Sequence, residues 1–178
     1  DVQFTKRNWR NRNLIKTPHG LKWLTIPVIV KGKYFQKIRD TNISDEGWNI
    51  RHLKTIKGCY SKARHFKDVF PFIEDMYLTS NYTTISEINF HFISAICKYL
   101  DIKTDIVFSN KYDLSENEKT SRLIDICKQA GATEYISGPL AKDYIDKDKF
   151  ENCNIKLTWM NYDNYPEYSQ LYGDFVHK

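Results

Sequence analysis

The 178 residues contain neither GxGxxG nor GxxxxGK[ST], so no complete glycine-rich phosphate loop announces a nucleotide enzyme. No GxSxG elbow and no Cys/His signature is present, which disfavours a covalent hydrolase. No His/Cys/carboxylate cluster has zinc spacing, so no metal is expected. Cys59, Cys97, Cys127 and Cys153 stand far apart without a CxxC, and read as reduced, mostly buried residues of a cytoplasmic protein. No apolar run approaches the length of a membrane span, and the first residues lack the profile of a secretory signal. RNP, KH and helix-turn-helix patterns are also missing, which makes nucleic acid an unfavoured partner.

What is present is concentrated at one end. Residues 1–39 hold ten Lys/Arg against one acid, a balance of +9, whereas the rest of the chain holds 17 against 21, a balance of −4. The stretch from Thr5 to Thr17 sets Lys6, Arg7, Arg10, Arg12 and Lys16 beside Asn8, Asn11, Asn13 and Trp9, with no carboxylate. Guanidinium forks and amides are the groups that hold phosphate or carboxylate. The segregation points to an anionic ligand, with a merely solvated basic face as the plain alternative.

The chain is read as a single α/β domain over residues 1–178. It divides into a basic β-rich segment (1–43), a helical segment (44–103), a βαβαβ segment (104–160) and a Tyr-rich tail (161–178). Pro18-His19-Gly20 predicts the turn of an N-terminal β-hairpin over 13–29, with Pro27 at an edge or bulge, and a further strand is expected in 36–43. Helices are predicted over 47–57, over 65–77 with an interruption at Pro71, and from Thr84, where Thr84-x-x-Glu87 is a capping box. The stripe Ile85, Ile88, Phe92, Ile96, Tyr99 is expected to face a core. Strands at 105–109, 133–136 and 155–159 alternate with helices opened by Ser115-x-x-Glu118 and by Ser137-Gly138-Pro139. That order predicts a doubly wound, mostly parallel, Rossmann-like sheet, with the hairpin and a helical insertion ahead of it.

Ligands of such sheets bind beyond the carboxyl ends of the strands. Ser137 and Gly138 are therefore candidate backbone anion contacts, or else a plain helix cap. His52, one turn beyond Trp48, is either a general acid/base or a packed, satisfied histidine. The basic arm is expected to fold back so that its guanidiniums converge on a pocket at the sheet rim. Twelve Tyr and the basic arm also permit single-stranded nucleic acid as a second reading, by stacking and phosphate neutralisation.

Asp1-Val-Gln-Phe-Thr-Lys-Arg-Asn-Trp-Arg-Asn-Arg-Asn-Leu-Ile-Lys-Thr-Pro-His-Gly20 with Trp23–Pro27 resembles the signature of the WbqC-like proteins. The likeness continues through Arg122–Lys128, Gly131–Tyr144 and Tyr168–Phe175, and spans essentially the whole chain. Family members usually carry a further segment before the Asp-Val-Gln and an apolar helix after the last block, so the resemblance is to a family core. It is similar to proteins encoded among surface-polysaccharide and O-antigen genes, some described as glycyl or aminoacyl transferases for amino sugars. The resemblance implies a cytoplasmic enzyme that transfers an acyl or aminoacyl group to the nitrogen of a nucleotide-linked amino sugar. Lys6, Arg10 and Arg12 would neutralise its phosphates, Asn11 and Asn13 would orient it, and His52 would move the proton. The cofactor is left open, with ATP as a candidate; a non-catalytic scaffold docking an acidic partner is the other alternative.

Overall fold

The structure is a computed structural model that describes residues 2–114 and 118–177. Two compact units make up the chain: residues 1–106 with 167–178, and residues 107–166.

The first unit opens with a 3₁₀ turn (Trp9–Asn11) running into an antiparallel hairpin, β1 (Arg12–Thr17) and β2 (Gly20–Thr25). The register runs from Arg12 opposite Thr25 to Thr17 opposite Gly20, leaving Pro18-His19 as a two-residue loop. Thr17 locks it: its hydroxyl donates to the Gly20 carbonyl (2.7 Å) and accepts from the His19 N–H (3.2 Å). Because side chains alternate across a strand, Arg12, Leu14 and Lys16 share one side of β1. Pro27 lies just past β2, as its missing donor requires.

The strand expected in 36–43 does not form. The segment makes isolated bridges, Lys37 with Gln3, Ile43 with Val28 and Asn42 with Thr84, and winds into a 3₁₀ turn at Ile38–Asp40. Thr41, fully buried, ties its hydroxyl to the Lys37 carbonyl (2.9 Å), a local bond that competes with a ladder.

Three helices complete this unit: α1 (Trp48–Tyr60), α2 (Phe66–Leu78) and α3 (Ile85–Tyr99). Asp45 stabilises the start of α1 by accepting the Gly47 N–H (2.9 Å) and pairing with Arg51, and Arg51 holds its carboxyl below the usual range. Pro71 does not interrupt α2. The acceptor it leaves free is the carbonyl of Lys67, and both residues are exposed, so water can satisfy it. Thr84 and Glu87 form the expected capping box on α3. Ile85 and Ile88 are fully buried against Trp48, Leu53, Phe70 and Met76, but the stripe does not stay inside: Ile96 and Tyr99 are exposed. Along α3 the core contact runs from Ile85 through Phe92 to Ala95, and Ile96 and Tyr99 lie outside it.

In the second unit, α4 (Lys119–Gln129) ends where Gly131 takes φ +66°, a conformation open to glycine without penalty. Ser115 of the expected capping box lies outside the described residues. β3 (Glu134–Ser137) and β4 (Lys156–Trp159) pair in parallel, with Tyr135 opposite Leu157. Between them come a 3₁₀ turn (Pro139–Asp143) and α5 (Lys147–Glu151), capped by Asp146. Phe150, fully buried, centres a core with Ile124, Cys127, Ala141, Ile145 and Ile155.

The architecture is thus mixed α/β, but each sheet among the described residues has two strands. Residues 105–109, expected as a strand, carry no strand pairing and turn into a 3₁₀ segment at Ser109–Lys111; Val107 and Phe108 are exposed. Strand composition alone does not make a strand, because the stabilising unit is the cross-strand pair. Here the βαβαβ expectation is corrected to βαβ.

Candidate functional site

The carboxylate-free stretch wraps the Trp9 end of the hairpin. Arg7 sits at φ +57°, a strained backbone for a residue with a Cβ. Its carbonyl is thereby available to the Arg12 guanidinium, which donates to it. The same guanidinium lies 4.1 Å from the centre of the Trp23 ring, two residues along on the facing strand. Yet the Arg12 Nε–H is buried with no acceptor.

Asn11 shows the same deficit with the opposite polarity. It is only 8% exposed, its Nδ2 donates to the Ile26 carbonyl (3.0 Å), and its Oδ1 is buried without a donor. A buried polar atom left unpaired costs about 1–3 kcal/mol. These two atoms, one donor and one acceptor, fall on consecutive residues; Gln36 Oε1 is likewise buried without a donor.

Asn11 and Arg12 both border two clefts. The first, of about 350 Å³, is also lined by Arg10, Asn13, His52, Tyr77 and Asn89. The second, of about 310 Å³, is also lined by Lys6, Arg7, Thr25 and Ser44. Asn89, on α3, fixes this end of the hairpin by donating to the Arg10 carbonyl (2.9 Å).

His52 projects from α1 and is 7% exposed, edge-on to Trp48 with ring centres 5.2 Å apart. Its Nε2 lies 3.0 Å from the Thr25 carbonyl, which can only accept, so Nε2 carries the hydrogen and Nδ1 is the basic nitrogen. Burial lowers the His52 pKa, which keeps the ring neutral near pH 7. Tyr77, beside it, is pushed up to about 12 by burial and stays a phenol.

Of the residues singled out in the sequence, Arg10, Asn11, Arg12, Asn13 and His52 therefore line one cleft, and Lys6 joins Asn11 and Arg12 in the other. Lys6 and Arg10 face aromatic rings, Tyr34 at 5.8 Å and Trp9 at 5.2 Å. Asn13 is exposed, with Oδ1 accepting the Leu14 N–H (2.8 Å). Ser137 and Gly138 belong to the second unit, where Ser137 ends β3 and Gly138 precedes Pro139 at the first position of a 3₁₀ turn. At five residues that turn sums little peptide dipole. Sequence reasoning missed Asn89 and Tyr77, which stand on helix faces that read as ordinary core and surface.

Among the described residues, no three His, Cys, Asp or Glu side chains gather as a metal site. No helix among them is long and apolar enough to cross a membrane. The four cysteines are free.

The sequence model of the WbqC-like protein family matches residues 1–178. The chain is 45% identical over 175 residues to the uncharacterized protein Rv1507c of Mycobacterium tuberculosis, covering 98% of this chain and 75% of that protein. No solved structure matches.

Proposed function

Since the chain belongs to the WbqC-like protein family, we propose that it binds a nucleotide-linked amino sugar at the Trp9 end of the hairpin and acylates or aminoacylates the sugar nitrogen. The observation that carries this reading is the buried, unpartnered pair Asn11 Oδ1 and Arg12 Nε between two clefts. A phosphorylated sugar offers an acceptor for Arg12 and a hydroxyl or amine donor for Asn11, which would satisfy both atoms at once.

In this reading Lys6, Arg10 and Arg12 neutralise phosphate, and Asn11 and Asn13 orient the sugar. Transfer needs a free amine: its lone pair forms a bond to the acyl carbon, the bond from that carbon to its leaving group breaks, and one N–H proton passes to a base. His52 is the candidate base, acting through Nδ1 because Nε2 is committed to Thr25. The donor is an activated acyl or aminoacyl group, with ATP a candidate for activating it. Ser137 and Gly138 would be a separate backbone anion contact in the second unit. A doubly wound sheet would require further strands beside β3 and β4, and a cytoplasmic setting would match a nucleotide-sugar substrate.

Calorimetric titration with UDP-glucosamine, UDP and inorganic phosphate tests the reading. The parent should bind UDP-glucosamine saturably, and Arg12→Ala should weaken it at least tenfold; equal binding by Arg12→Ala rejects the assignment.

A second reading has its own observation. Lys6 with Tyr34, Arg10 with Trp9 and Arg12 with Trp23 put three cation–aromatic pairs on one segment, and the three rings are exposed. Stacking surfaces beside cations suit single-stranded nucleic acid. An oligothymidylate whose affinity falls steeply with salt would favour it, and no binding at low salt would eliminate it.

A further inference from the structure

The other end of the hairpin carries a larger cleft, of about 550 Å³, within the size range of small-molecule sites. One wall comes from the Tyr-rich tail, through Tyr168, Ser169, Gln170, Leu171 and Val176. It is held in a defined shape. The Lys16 ammonium reaches three acceptors: Gln170 Oε1 (3.1 Å), the Gly173 carbonyl (3.3 Å) and the Asp174 carbonyl. Gln170 also clasps Val176 through both halves of its amide (3.2 and 3.0 Å), and the Tyr172 hydroxyl donates to the Cys59 carbonyl. Tyr172 and Gly173 both adopt positive φ (65° and 82°), the sharp reversal this clasp requires.

The cleft so enclosed has a mixed lining. Leu14 and Leu21 from the hairpin and Leu171 and Val176 from the tail give it aliphatic walls. Lys62 and Arg64, from the turn between α1 and α2, also line it, and both are exposed. Among the described residues neither of them pairs with a carboxylate, and no Asp or Glu lines the cleft. Exposed cations on a turn are common. These two differ in lining a cleft with aliphatic side chains, whose tail wall is tethered by the Lys16 ammonium.

We infer that this cleft is a second ligand site, for an organic anion that carries a phosphate or carboxylate head on a short aliphatic body. Lys62 and Arg64 hold the head at the rim, and the four aliphatic side chains take the body out of water. Lys16 also lines the cleft, but its three ammonium donors are spent on the tail, which makes it a positioning residue. The inference does not depend on the transfer reaction proposed for the Arg12 end.

Displacement of the fluorescent sulfonate 1-anilinonaphthalene-8-sulfonate measures it directly. Octyl phosphate, octanoate, octanol and inorganic phosphate are compared as competitors at fixed ionic strength. At least one octyl anion should displace the dye saturably and at least tenfold better than octanol or inorganic phosphate. Which anion wins identifies the head group. The exposed double substitution Lys62→Gln with Arg64→Gln should weaken that anion at least tenfold while leaving the melting temperature unchanged. The proposal is overturned if octanol or inorganic phosphate competes as well as both octyl anions. It is also overturned if the double variant binds like the parent, or if no competitor displaces the dye.

Discussion

At one end of β1, Arg12 stacks on Trp23 and donates once to a carbonyl, while its Nε–H is buried and unused. Four residues on and on the same side of the strand, the Lys16 ammonium is matched to three acceptors of the tail. Both cations come from the same carboxylate-free stretch, and neither faces a carboxylate among the ion pairs of the described residues. The difference separates two uses of charge. A saturated cation holds its own chain in place. Arg12 keeps one donor without an acceptor, and that is the difference on which the proposed ligand contact rests.

The sharpest way to break that contrast is at Asn11. Asn11→Leu keeps the branched shape at a somewhat larger volume, removes the unpaired Oδ1 and gives up the bond to the Ile26 carbonyl (3.0 Å). The two changes oppose each other at about 1 kcal/mol each, so the urea midpoint should move little. UDP-glucosamine affinity should fall about tenfold, as expected when one hydrogen bond between neutral groups is lost. A large loss of stability with unchanged affinity would make Asn11 a structural residue, and the two ends of β1 would then be alike.

Lys16→Met probes the opposite end. The aliphatic stem is retained, and three acceptors lose their donor. The expected cost is about 1–3 kcal/mol, because the bonds are charge-assisted but partly solvated. The tail should also become the first site of limited proteolysis, with UDP-glucosamine binding retained. If the tail stays protected, the Gln170 clasp and the Tyr172 bond suffice, and Lys16 is only an ornament on a self-supporting turn.

How much of this was legible in the sequence depends on the range of the interaction. The hairpin, its turn, the Thr84–Glu87 box and the Gly131 stop were visible because their causes lie within a few residues. Arg10, Asn11, Arg12, Asn13 and His52 were singled out by residue type, and they do line one cleft. Their differing states could not be read, since whether a guanidinium is saturated depends on Trp23 and on the backbone of Arg7. The cleft at Lys16 was illegible for the same reason: its walls come from residues 14–21, 60–64 and 168–176. The strand expected at 105–109 does not form, because strand composition alone does not make a strand.

The smallest expected effect is a pH dependence that distinguishes a base from a packed ring at His52. Burial lowers its folded pKa below the ordinary value of 6.5, with the Thr25 carbonyl opposing and Arg51 adding to the shift. The unfolded chain therefore binds the proton more readily than the folded one. His52 stability is fully present above pH 6.5 and is lost as pH falls below that value and through the folded pKa. One proton bounds the effect at about 1.4 kcal/mol per pH unit. His52→Gln can still donate to the Thr25 carbonyl but cannot titrate, so its urea stability between pH 7 and 5 should be flatter than the parent's. That result would fit either role. Transfer activity separates them: a base predicts a rate that collapses in His52→Gln with KM retained, whereas a packed ring predicts a rate that survives. In the second case Arg12 and Asn11 would bind a ligand at this end of β1, and the proton would leave by another group.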